Sequence, residues 1–298
     1  MTALRLPLSL SLVLACAPGV LPAQEEATLY EYQRRTEVVT HNIINLVAPH
    51  LPSHEAGIVA ASSVRVEPTW LTNAYARRRS DGSRQIVFGA GLAAYLEQIA
   101  DAYVTEHSGS RPGCTQDYLA YLAPPLVENT QRVQRGLAPQ GVAMFYMFAR
   151  TTGGRCRGAS PELFQNPEVG RFFAGIMDAS IAFVVLHELG HEVRGHVDTR
   201  TDDPETHRKQ EAEADSWAVS TAFRSGYDLR SAMPWFLLEA AIGGDTIEDE
   251  RHSDHPLGGR RVLDALRQAK DILNTTDPRS AALFDETIRQ LEKEIPNN

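Results

Sequence analysis

"FVVLHELGHEVRGH", residues 183–196, is the stretch on which the fold turns. It closes a longer apolar run, "RFFAGIMDASIAFVVL" at 171–186, and leads straight into three histidines and two glutamates. No proline interrupts between Pro167 and Pro204, so the spacing predicts one long, largely buried helix with the polar residues at its end. Side chains four positions apart on an α-helix point the same way, so His187 and His191 can offer two imidazoles to one metal ion. Glu188 lies one step round, close enough to reach a water on that ion but turned away from ligating it. Two buried helix histidines without an ion would each need partners for both ring nitrogens; zinc, with an acceptor behind each ring, satisfies them.

A hydrolytic zinc takes three protein ligands and keeps a fourth position for water. The segment "EAEAD" at 211–215 places Glu211 and Asp215 four apart on one helical face, with Glu213 pointing away as a solvated side chain. Glu211 would complete a His₂Glu set and Asp215 could accept the other ring N–H of a ligating histidine; Asp215 as the ligand is the alternative on geometry alone. His196 also competes. At about 100° per residue it sits half a turn out of phase with His187, so it reads as a capping or supporting residue unless the helix stops near Gly195.

Upstream, Leu29, Tyr32, Thr36, Val39 and Ile43 predict an amphipathic helix ending near Pro49. "GIVAASSVRVEP" at 57–68 reads as strand, rich in small and β-branched residues. "WLTNAYARRRS" at 70–80 and "SRQIVFGAG" at 83–91 flank Asp81-Gly82, a hairpin-turn pair, with Arg77, Arg78 and Arg79 on its wet face. "GLAAYLEQIADAYVTEH" at 91–107 returns to helix, and 108–167 reads as loops around short helical pieces with no assignable chemistry. A polar connector at 198–210 precedes a helix over 211–226, with Gly226 as its stop. Further helices are expected near 231–242, 258–273 and 279–294, with a loop over 239–256.

A chain of 298 residues without a fixed repeat can bury one principal core. Its net charge of −9, from 38 acidic against 29 basic residues, gives no electrostatic footprint for nucleic acid. Residues 1–23 have the layout of a secretory signal, while a cut before Cys16 would instead leave a lipid anchor. Asp178 and His187 interrupt the best later apolar stretch, so no membrane span is expected after the signal. Cys114 and Cys156, an even pair in an exported chain, are expected to form a disulfide. The oligomeric state is not legible.

Four ordered segments, "NAYARRRSDGSRQIVFGAGL" (73–92), "HELGH" (187–191), "EAEAD" (211–215) and "DHPLGGRR" (254–261), resemble the gluzincin metallopeptidases that include the prenyl protease Ste24, the heat-shock protease HtpX and the Oma-type and BepA-type proteases. The resemblance implies an α+β, mainly helical, zincin-like fold with a small mixed sheet beside the HExxH helix. It implies one Zn²⁺ per chain on His187, His191 and Glu211, with Asp215 behind them and Glu188 as the catalytic base. It implies His255 facing the metal and Arg261 as an active-site arginine. Either could stabilise an oxyanion, or His255 could occupy the fourth position and keep the enzyme latent. The strand around Asn73 would offer its edge to a protein or peptide substrate.

On this reading residues 24–298 form a single metalloprotease domain with an insertion at about 101–177, exported to the periplasm or envelope, or secreted, and serving protein quality control. Departures from the family are the roughly eighty residues before the zinc motif, which carry both mature cysteines, and the missing membrane helices. Two rivals stand beside it: a zinc hydrolase of a non-protein substrate, and a zinc-stabilised noncatalytic chaperone or binding protein. The second has no use for a general base such as Glu188.

Overall fold

The computed structural model describes residues 29–152, 154–199, 203–242 and 258–294. The expected signal at 1–23, the anchor candidate Cys16, and His255 lie outside the described residues. The fold is mainly helical α+β, with one three-stranded mixed sheet among the described residues.

Helix α1 (Leu29–Val47) buries Tyr32, Thr36, Thr40, Ile43, Ile44 and Val47, the stripe its three-and-four spacing predicts. Ser53–Ala61 is helix α2 rather than strand, and only Ser63–Glu67 forms strand β1. Ala56, Ala60 and Ala61 favour helix while Gly57, Ile58 and Val59 oppose it, so local preference is nearly balanced and the burial of Val59 in the fold decides for helix; the chain turns extended only at Ser62. Strands β2 (Ala74–Arg78) and β3 (Arg84–Gly89) form the expected hairpin, with Gly82 at φ 82° in its turn.

Strand β3 is central, parallel to β1 with Val64 opposite Ile86 and antiparallel to β2 with Ala76 opposite Ile86. The chain between β1 and β2 crosses close over the end of β3. A Cβ on Gly89 would lie 2.6 Å from the Leu71 carbonyl oxygen, and one on Gly91 2.6 Å from Trp70 Cα, so only glycine admits this crossing. Strand β2 is thereby left at an edge. The ladder bonds Asn73 to Gly89 and Arg79 to Ser83, and by antiparallel alternation the backbone groups of Ala74, Ala76 and Arg78 face outward.

Helix α3 (Ala90–Ser108) runs directly from β3 and is buried on most sides. Cys114–Gln134 is a 21-residue helix, α4, longer than the short pieces expected there, because Pro124 and Pro125 interrupt the pattern without ending the helix. Helix α5 (Phe145–Thr151) packs on α3. The disulfide Cys114–Cys156 ties the start of α4 to the turn Gly154–Cys156, as the paired cysteines predict.

Helix α6 (Pro167–Val193) carries the histidine motif, starts on an Asn166 cap with Pro167 in its first turn, and ends before Gly195 at φ 76°. Its length and composition would suffice to cross a membrane, and just over half of its most apolar part is buried within the fold. Helix α7 begins at Pro204, ahead of the expected 211, because the Asp203 side chain caps it through Thr206 N–H; it ends at Arg224. Helices α8 (Met233–Ile242), α9 (Gly258–Thr276), α10 (Pro278–Ala282) and α11 (Asp285–Glu294) follow. Helix α6 lies in the middle, against α3, α7, α8 and the β2 side of the sheet.

Candidate metal centre and active site

The site forms at a tight contact between α6 and α7. A Cβ on Gly190 would stand 3.0 Å from both Cα and O of Ala214, so the glycine inside HELGH allows the two helices to come together. At that contact Glu211 faces both imidazoles: its two carboxylate oxygens lie 3.3 Å from His187 Nε2 and 3.2 Å from His191 Nε2. The two Nε2 atoms are 3.1 Å apart. Donors on a tetrahedral zinc with bonds of about 2.0–2.1 Å stand about 3.4 Å from one another, so this triangle is close to the size a metal requires. Among the described residues these three offer donor atoms that fit a divalent cation.

Each imidazole is backed by a second group. Asp215 Oδ1 lies 2.8 Å from His187 Nδ1, which turns Nε2 of that ring toward Glu211. Burial works against a charge on His187, yet Asp215 and Glu211 outweigh it and hold its pKa at about 10. Such a pull for positive charge is what a cation site provides. Burial likewise opposes the charge on Asp215, but Arg261 and His187 hold its pKa down at about 2.

Arg261 is in the site but one layer behind it. Its Nε and Nη2 donate to the two oxygens of Asp215 at 2.8 and 2.9 Å, and Nη1 donates to Glu239 at 2.8 Å. A buried guanidinium so committed braces the partner of His187, which keeps Arg261 in the active site as expected but does not favour oxyanion stabilisation, one of the roles left open for it and for His255. Glu239, on α8, is a site residue that the sequence reading missed, since nothing near it carries a motif.

Behind His191 stands His196. Gly195 reverses the chain, and the 3-10 turn His196–Asp198 brings the His196 ring to 3.0 Å from His191, Nδ1 to Nδ1. The helix has stopped, so the phase objection to His196 no longer applies, and its place is behind a ligand as a supporting residue. Its Nε2 lies 3.1 Å from Glu213 Oε2, so Glu213 is engaged rather than only solvated. Burial lowers the His196 pKa and favours its neutral ring.

Glu188 is buried beside the triangle, and burial raises its pKa while the Ala76 backbone N–H, on the open edge of β2, favours its charge. The next glutamate, Glu192, is fully buried and bonds the Ser62 hydroxyl, with its pKa pushed by burial up to about 7. The three hairpin arginines are engaged locally: Arg77 on Gln85, Arg78 on Asp198 and Arg79 near Asp81.

Residues 152–270 match the family model of Peptidase U49. The Peptidase U49 match takes in α6, α7, α8 and most of α9, hence the three candidate ligands, Glu188, Asp215 and Arg261. It indicates a peptidase and points to protein or peptide substrates. The narrower likeness to the Ste24, HtpX and BepA group rests on the motifs. No curated protein and no solved structure matches the chain.

Proposed function

We propose that this chain is an exported, zinc-dependent endopeptidase of the gluzincin type, with one Zn²⁺ held by His187, His191 and Glu211. The observation that carries the reading is a largely buried His-His-Glu triangle with a buried glutamate next to it and the edge strand of the described sheet alongside. Zinc held by these three residues would supply Lewis acidity, polarising the scissile carbonyl and lowering the pKa of a water so that it yields its proton and becomes the nucleophile.

The chain's own residues do the rest. A Glu188 carboxylate oxygen accepts the proton of the attacking water and delivers it to the departing amine, and burial suits it to hold that proton in between. Outward backbone groups of β2 other than the Ala76 N–H, which holds Glu188, pair with an extended substrate segment and lay it across the site. Asp215 fixes the His187 tautomer, and Arg261 with Glu239 fixes Asp215, which makes all three positioning residues. His255 is proposed to face the metal on the strength of the HP element alone.

Purified protein and its Glu188→Gln variant, compared on unfolded casein with metal content measured in both, test the reading. We expect equal zinc and a loss of cleavage of about 10²–10⁴-fold in the variant. Equal cleavage by both would remove Glu188 from the mechanism, and wild type free of zinc when purified from zinc-replete cells would remove the metal. Export, with work in envelope protein quality control, is proposed from the layout of residues 1–23. N-terminal sequencing of the protein from fractionated cells should find a start at Gln24 or an acylated Cys16; an intact Met1 in the cytosol excludes export.

A further inference from the structure

We propose that His196 and Glu213 form a second positioning arm of the metal centre, holding the ligand His191 as Asp215 holds His187; this rests on the zinc reading above. For His191 to ligate through the Nε2 that faces Glu211 at 3.2 Å, its proton must reside on Nδ1. That Nδ1–H meets His196 Nδ1 at 3.0 Å, so His196 accepts there. The His196 proton then resides on Nε2 and is donated to Glu213 Oε2 at 3.1 Å. Each contact has one donor and one acceptor, and the chain ends on a carboxylate that anchors the direction of all three.

The arm is mounted firmly at its middle. The His196 side chain is 8% exposed while that of Glu213 is 45% exposed, so the histidine is packed in place and the carboxylate reaches it from the solvent side. Asp198, two residues beyond His196, takes ion pairs from Arg78 and Arg84, and Arg84 also donates to the Glu192 carbonyl oxygen at 2.6 Å. The hairpin that presents the β2 edge therefore also fixes the turn that presents His196. Strand edge and metal ligand are joined through this turn.

The test measures zinc affinity of the full chain by competition with a chromophoric chelator, alongside ¹⁵N NMR of the histidine tautomers in the zinc-loaded wild type. His196→Phe, which keeps a ring without nitrogens, and Glu213→Ala should each weaken zinc by about tenfold or more, with helical content unchanged. Glu213→Gln, whose carbonyl accepts the same N–H, should restore most of the affinity, a rescue that a merely structural role would not produce. NMR should find His191 protonated at Nδ1 and His196 at Nε2. Unchanged affinity in both disruptive variants, or a His196 protonated at Nδ1, overturns the arm while leaving the zinc reading intact. Wild type that binds no zinc overturns both, and should a variant fail to fold, the wild-type tautomers decide.

Discussion

At the level of single residues, the site is a set of charges that tolerate burial only together. Arg261 is buried between Asp215 and Glu239, and each of its three bonds is charge-assisted. Replacing one member leaves the others uncompensated, which costs more than the intact set contributes. Arg261→Leu should therefore destabilise the protein by about 3–5 kcal/mol, read from urea unfolding. A loss below about 1 kcal/mol would show that water already screens the cluster. His187, Glu188 and His191 were readable because the helical period places them from their own spacing. Glu239 and the Glu213–His196 contact were not, because each depends on where a neighbouring segment docks.

At the level of elements, the distance between α6 and α7 sets the ligand triangle. Gly190 is the position where that distance can be tested, since what a side chain there would meet is the backbone of Ala214, which cannot rotate away. Gly190→Val should lower stability by about 1–3 kcal/mol and weaken zinc binding, with Gly190→Ala milder in both. If chelator competition finds Gly190→Val as tight for zinc as wild type, helix spacing does not control the site. Helices α1, α3 and α6 were legible through their apolar spacing. The strand expected over 57–61 proved helical because β-branched residues are only mildly averse to helix, and α4 was concealed by Pro124 and Pro125.

Over the described residues, the larger apolar core runs from α1 to the C-terminal helices, a small second cluster joins α3 to the start of α6, and polar groups are buried on α3 as well as at the metal site. Asp101 on α3 accepts from Tyr146 at 3.4 Å; burial, with Glu97 nearby, pushes its pKa well up. A carboxyl whose pKa is higher folded than unfolded binds more protons in the folded state. Its stabilising share is thus complete below the unfolded value of about 3.9 and is lost as pH rises through the folded one. Asp101→Asn keeps the acceptor for Tyr146 without the charge. The variant should match wild type near pH 4 and exceed it in stability toward neutral pH, as urea unfolding across that range would show. Parallel curves for the two proteins would mean that Asp101 is adequately solvated.

By itself the sequence determined the paired imidazoles with their adjacent glutamate, the hairpin, the cysteine pair and the mainly helical α+β class. Backbone hydrogen bonds over three or four residues, and turn chemistry over two, decide the helical motif and the hairpin locally, whereas the cysteine pair, 42 residues apart, was legible from its even count and the class from the order of the family-like motifs. Only the tertiary structure decided that Glu211 meets both rings, that Arg261 stands behind Asp215, and that a turned-back His196 reaches His191. Those contacts join segments whose relative placement depends on close packing of helix faces and on a left-handed glycine, neither of which is written in the spacing of any one segment.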